Sequence, residues 1–230
     1  MSCDAKKMYL QMEGDAYFER NLEAQKVNGA TKGVRLFDDF VMCQVDGGGY
    51  VTKDKKVLEV GCCYGYNLAY LESRYDFKCY GIEPSKKAVS YGNQIFKDKI
   101  IIKQGTADEL TFEDNFFDVV IVGTCLCQVD RILLAKTLTE IDRVLINGGF
   151  LVINDFDTPF PCRRDNRHNT ATPVFKDNYG EMFLHRPYNY SLVEKRTYDF
   201  GGSLAFPVDV QERVSTQILY KEKEMYYFFQ

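Results

Sequence analysis

The stretch Val57-Leu-Glu-Val-Gly-Cys-Cys-Tyr-Gly-Tyr66, followed by Tyr80-Gly-Ile-Glu-Pro84, constrains this chain more than any other. It reads as a buried strand, a tight turn with glycines at 61 and 65, a helix, and a second strand ending in an acid. Glycine at a strand-to-helix turn permits positive φ and lets a ligand approach bare backbone. An acid closing the next strand accepts two hydrogen bonds from a ribose diol. A nucleoside-binding site follows, but the dinucleotide fingerprint G-x-G-x-x-G does not fit. Counted from Gly61 it demands glycine at 63 and 66, where Cys63 and Tyr66 stand.

The text around this core alternates strand and helix. Strands are expected at Lys56–Val60, Lys78–Ile82, Lys99–Lys103, Asp118–Val122 and Phe150–Phe156, and helices over Asn67–Ser73, Ser85–Phe96 and Arg131–Leu145, with Ser85 as an N-cap. The runs Ile100-Ile-Ile, Val119-Val-Ile-Val and Phe150-Leu-Val-Ile are short, β-branched and continuously apolar, as strands buried on both faces of a parallel sheet must be. Ligands of such sheets bind at the carboxyl ends of the strands, near the switch in strand order. Residues 1–50 show apolar residues at helical spacing and predict an N-terminal helical cap, with Gly47-Gly-Gly49 as a hinge. Residues 51–157 form the expected core. Residues 158–230 combine an irregular Pro-, Arg- and Asn-rich segment, read as a substrate lid, with strands at Ser191–Phe200 and Arg213–Lys221 and an aromatic tail, Tyr226–Phe229.

With 230 residues, 45% of them hydrophobic and 27% charged, the chain suits one α/β core with a small cap. Its net charge of −4 offers no electrostatic footprint for nucleic acid or an anionic membrane. Neither a signal-peptide core nor a bilayer-length apolar run is present, which predicts a cytoplasmic protein. The eight cysteines then read as reduced thiols, and with two histidines and no C-x-x-C pair no metal is expected.

The pattern Glu59-x-Gly61-x-Cys63-x-Gly65 resembles the first motif, E/D-x-G-x-G-x-G, of class I S-adenosylmethionine-dependent methyltransferases, with cysteine at the middle glycine. That resemblance implies a Rossmann-like seven-stranded, mostly parallel sheet with helices on both faces and the last strand inserted antiparallel. It implies S-adenosyl-L-methionine as cofactor, with the turn (Glu59, Gly61, Cys63, Gly65, Asn67) on its methionine part and Glu83 and Pro84 on its ribose side. Gly105-Thr-Ala-Asp-Glu-Leu-Thr-Phe112 stands where the family has G-D-A-x-x-L-P-F, which places Thr106, Ala107 and Asp108 at the adenine edge. Asp118, before strand four, matches a structural acid, and Thr124 and Cys125, after it, would line the methyl-transfer centre. Arg143–Gly149 resembles the family's helix end and turn before strand five. A narrower resemblance, to methylases associated with pseudaminic acid biosynthesis, rests on Gly14-Asp-Ala-Tyr-Phe-Glu-Arg-Asn21, Val60–Leu68 and Asp155-Phe-Asp-Thr-Pro-Phe-Pro161. The histidine usual after strand four is replaced by Cys127 and Gln128.

Methyl transfer from a sulfonium is an in-line displacement that needs alignment and, for an oxygen acceptor, a base. Asp155, at the end of strand five, and His168, in the lid, are the expected catalytic groups; Asp157 and Asp177 also stand near that end. Asp157, Arg163, Arg164 and Lys176 are expected to bind the acceptor, the cations gripping a phosphate or carboxylate together with Arg167. Tyr17, Arg20 and Asn21 would close over the cofactor. The expected activity is methylation of a small polar acceptor, a sugar or nucleotide-sugar. A catalytically silent S-adenosylmethionine-binding subunit, or a module that needs a partner, is the alternative.

Overall fold

The computed structural model describes residues 5–46, 54–203 and 207–223, so the Gly47–Gly49 hinge and the aromatic tail lie outside the described residues. The chain begins with α1 (Ala5–Met8), a π-helical turn (Tyr9–Glu13) and α2 (Gly14–Asn28), followed by α3 (Lys32–Asp46). The core then runs β1 (Lys56–Val60), α4 (Tyr66–Tyr75), β2 (Lys78–Glu83), α5 (Lys86–Phe96), β3 (Ile100–Gln104), β4 (Phe117–Gly123), α6 (Arg131–Val144) and β5 (Leu145–Phe156). A small hairpin of β6 (Cys162–Arg164) and β7 (Val174–Lys176) precedes β8 (Tyr190–Asp199) and β9 (Arg213–Lys221).

Seven strands pair in the order β3-β2-β1-β4-β5-β9-β8. The first five are mutually parallel, and β9 lies antiparallel between β5 and β8. Strand order reverses between β1 and β4, which places the switch point, and hence the ligand crevice, at their carboxyl ends. Side chains alternate between the two faces because successive Cβ atoms of a strand point oppositely. Leu58, Val60, Val120, Val122, Leu151 and Ile153 face the helix α6, whereas Val57, Val119, Ile121 and Val152 pack with Val34 and Phe37 of α3 and Leu68 and Leu71 of α4. Both faces are thus covered, which is why the strands are apolar throughout.

One expectation needs correction. Arg143–Gly149 was read as helix end and turn, yet β5 begins at Leu145, immediately after α6. Leu145 pairs with Phe117 and Phe150 with Val119, so the intervening residues of β5 bulge, and Gly148 takes φ +86° to allow it. The lid segment also differs from irregular chain: Cys162–Arg164 and Val174–Lys176 pair into a two-stranded antiparallel ribbon.

Helix α5 approaches the β1–α4 turn closely enough that its glycine matters. A Cβ on Gly92 would lie 2.4 Å from the Tyr64 carbonyl oxygen and 2.5 Å from Ile102 Cδ1. Backbone cannot yield as a side-chain tip does, so Gly92→Ala should cost about 1–3 kcal/mol, read as a lowered urea midpoint; an unchanged midpoint would contradict this packing.

Candidate functional site

The turn after β1 is pinned from three sides. The Gly61 and Cys62 amides both donate to the Ile82 carbonyl, at 2.8 and 3.2 Å, which locks the turn onto β2. Gly61 and Gly65 take φ +76° and +87°. A Cβ on Gly61 would also sit 3.2 Å from the Cys125 side chain, so conformation and space both demand glycine there. Cys63 takes φ +52° in the same left-handed region, where the family motif carries glycine. Its amide donates to Glu83 Oε2 at 2.9 Å, and its side chain packs with Phe18, Tyr64 and Ala88.

Glu83, at the end of β2, is the centre of the arrangement. Its Oε2 accepts from Cys63 and its Oε1 from the Ser85 amide at 2.9 Å, so one carboxylate joins the β1–α4 turn to the start of α5. Ser85 then caps α5, its hydroxyl accepting from the Ala88 amide at 3.0 Å. Burial pushes the Glu83 carboxyl up to about 7, against the pull of its two backbone hydrogen bonds. Each oxygen keeps a lone pair free, which suits it to a neutral diol.

A cavity of about 500 Å³ opens over these turns. Of the residues expected to hold the cofactor, Tyr17, Arg20, Gly61, Glu83, Pro84, Thr106, Ala107, Asp108, Thr124 and Cys125 line it. Glu59, Cys63, Gly65 and Asn67 do not. Glu59 Oε1 accepts from Asn67 Nδ2 at 2.6 Å, and Asn67 Oδ1 accepts from the Thr31 amide at 2.9 Å, which ties the turn to the α2–α3 corner. Glu59 Oε2 is buried with no hydrogen-bond partner among the described residues. Asp108 faces the cavity, but its carboxylate already holds Lys6 at 2.8 Å and Lys136 at 3.6 Å. Thr124 sits at φ +50°, a strained position for a β-branched residue, and donates its amide to Asn154.

The acceptor-side expectations divide similarly. His168, Arg164 and Arg167 line the cavity. Asp155 is 2% exposed and turned inward, its Oδ2 accepting from the Cys127 amide and its Oδ1 from the Phe156 amide. Burial pushes its carboxyl up to about 6 despite those bonds. Asp157 pairs with Lys195 at 2.9 Å and Arg213 at 3.8 Å, away from the cavity. Lys176 is buried, its ammonium bonded to the Gln211 carbonyl, and Arg163 is exposed outside the lining.

Several lining residues escaped the sequence reading. Lys6, Tyr9, Glu13 and Gly14 reach the cavity from the N-terminal helical run. The π turn at Tyr9–Glu13 shifts the helix phase there, which a 3.6-residue periodicity does not register. Gly14 closes the approach, since a Cβ there would lie 3.1 Å from the Ser85 amide nitrogen. Glu13 accepts from Arg20 at 2.6 Å and from Asn169 at 3.0 Å, linking this run to the lid. An apolar wall of Val129, Leu133, Phe156, Val174 and Phe200 completes the cavity.

Fold and site together define a doubly wound α/β protein with a nucleoside-type crevice at its switch point. Residues 58–153 match the family described as "Methyltransferase domain". A demethylmenaquinone methyltransferase of Staphylococcus saprophyticus is 31% identical over 133 residues, 52% of this chain and 52% of that protein. The chain spans between about half and three fifths of the length of the first curated relatives it matches. Among solved structures, the Burkholderia thailandensis 1,6-didemethyltoxoflavin-N1-methyltransferase, bound to 1,6-didemethyltoxoflavin and S-adenosylhomocysteine, aligns with a TM-score of 0.65 at 14% identity, covering 94% of this chain and 90% of that one. The [4+2]-cyclase SpnF aligns with a TM-score of 0.68 at 14% identity, covering 96% and 97%. Residues 58–153 thus carry the likeness to a methyltransferase domain, and the fold is shared with these solved structures. The residues present would fit S-adenosylmethionine: bare backbone at Gly61, a carboxylate with free lone pairs at Glu83 and, at Cys63 and Tyr66, no glycines for a pyrophosphate turn. Among the described residues no helix is long and apolar enough to cross a membrane.

The orphaned carboxylate gives a pH test. Burial pushes Glu59 up to about 8, against the Asn67 hydrogen bond and with a further push from Glu83. An unfolded glutamate ionises near ~4.3, so across the interval up to 8 the folded state binds the extra proton. Stability contributed at low pH is therefore lost as pH rises through this window. Glu59→Gln should flatten that decline in urea melts taken from pH 5 to 8, about the range between the two ionisations; an unaltered slope would remove Glu59 as its source.

Proposed function

We propose that this chain transfers the methyl group of S-adenosylmethionine to a small-molecule acceptor bound in the same cavity. The observation that carries this reading is the sharing of one space of about 500 Å³ by the Gly61–Glu83 cofactor site and the apolar wall under the lid. The cofactor supplies an electrophilic methyl group; the chain supplies alignment and exclusion of water. Glu83 would accept from the ribose hydroxyls, and Pro84 and Ala107 would flank the base. Thr124 and Cys125 set the floor opposite Gly61, where acceptor and sulfonium meet. Asp155 acts one step back: by accepting from the Cys127 and Phe156 amides it holds the loop after β4 against the end of β5. His168 is the cavity-lining group of the two expected bases and is the one assigned to take the acceptor proton.

The acceptor is small, and Phe156, Val174 and Phe200 suit one with an apolar body better than a bare sugar. Likeness to a cyclase shows that this fold hosts more than one reaction, so turnover has to be measured directly. Calorimetry with S-adenosylhomocysteine should show binding to the wild type. Glu83→Ala, which removes two hydrogen bonds to a charged group, should weaken it by about 100-fold or more, and Gly61→Val should abolish it without unfolding the core. Equal affinity in all three proteins would sink the cofactor site. Binding without conversion of S-adenosylmethionine in a metabolite mixture would instead favour a silent binding subunit.

A further inference from the structure

The lid side of the cavity sets two guanidinium groups, Arg164 and Arg167, against the Glu212 carboxylate. Arg164, Arg167 and His168 line it together. Arg164 Nε is buried with no hydrogen-bond partner among the described residues, although the side chain sits at the cavity edge. Among the described residues its ion-pair partner is Glu212, which reaches Nη1 at 3.6 Å. Arg167 has no ion-pair partner among the described residues.

A third cation adds to the excess. Lys176, on β7 of the lid ribbon, has its ammonium 4.5 Å from the centre of the Phe156 ring, and Arg164 lies 5.8 Å from the same ring. The lysine's pKa falls below its ordinary value, first because it is buried and next because Arg164 stands close. Two cations gathered on one aromatic ring repel each other, and an anion at the cavity edge relieves that repulsion. Beside them the exposed ring of Phe200 stacks on Phe156, with ring centres 5.8 Å apart and planes inclined by 16°. A flat apolar surface and a guanidinium therefore meet at one mouth.

We infer that the methyl acceptor is an anion: a compound with a planar apolar body lying on Phe156 and Phe200 and a carboxylate or phosphate held between Arg164 and Arg167. The inference rests on the methyltransferase reading of the same cavity. A guanidinium pairs with either oxyanion through charge-assisted N–H···O bonds, and Arg164, which meets Glu212 through Nη1, has its other terminal nitrogen for one. Glu212 acts as the competing anion, occupying Arg164 loosely at the mouth.

The test uses the full chain saturated with S-adenosylhomocysteine and three aryl probes: 4-hydroxybenzoate, phenyl phosphate and the uncharged 4-hydroxybenzamide, titrated by calorimetry. The expected result is that at least one of the two anions binds at least tenfold more tightly than the amide, the better of the two naming the oxyanion. That preference should fall to within threefold in Arg164→Gln and Arg167→Gln, whose S-adenosylhomocysteine titration reports an intact cavity. Glu212→Gln, which removes the competitor, should tighten the anion. Amide binding equal to acid binding, no binding of either anion at millimolar concentration, or an unchanged preference in both arginine variants would overturn the inference. Failure of S-adenosylhomocysteine to bind the wild type would instead overturn the cofactor reading, and the probes would still report on the cations.

Discussion

The Glu83 carboxylate accepts one backbone amide from each of two strand-to-helix turns, Cys63 on one side and Ser85 on the other. Most of the site hangs on that bridge. The Cys63 amide points at Glu83 because the turn is left-handed there, and the turn is left-handed between two glycines that tolerate it. Ser85, held by Glu83, caps α5 and also donates its hydroxyl to Asp15 of α2. One buried acid thus sets the cofactor turn, the start of α5 and the seat of the N-terminal helices. Such a group stays ionised at a cost, and backbone donors offset it in part.

Around this bridge the molecule closes the cavity with contacts from distant parts of the chain. Lys6 reaches Asp108, Tyr9 reaches Gln128, and Glu13 links Arg20 to Asn169 of the lid. Arg131 lies over the rings of Phe175 and Tyr179 and donates to the Leu126 and Val129 carbonyls, joining the lid ribbon to the loop after β4. In the proposed reading, the walls facing the acceptor come from the N-terminal run, α6 and the lid, while the cofactor side belongs to the sheet. Variation in the first three can change the acceptor without disturbing the second, which is how one fold serves several reactions.

Cys63 illustrates how the two levels interact. As a sequence oddity it marks a departure from a glycine-rich motif. In the structure it occupies the left-handed conformation glycine would favour, with its thiol buried against Phe18 and Tyr64 and pushed up to about 12 by burial. A small, unbranched side chain tolerates that backbone better than a β-branched one, and burial in an apolar cluster offsets part of the strain.

While the antiparallel last strand came only from the family resemblance, the order of strands and helices, the Ser85 cap and the Gly61–Glu83 pair were legible in the sequence. These depend on local rules: β-branched runs, helical spacing, and glycine where a turn must go left-handed. The bulge through Gly148 was not legible, since pairing across β4 decides whether a glycine pair turns the chain or kinks a strand. Nor could sequence position tell which acids face the cavity. Asp155 and Glu59 end or follow strands as Glu83 does, yet both turn inward, one to backbone amides and one to Asn67. The sequence by itself determined the sheet and the cofactor turn, because their signals are short-range. Only the tertiary structure decided the acceptor wall, because Tyr9, Leu133, Phe156, Arg164 and Phe200 become neighbours through long-range packing that no local pattern encodes.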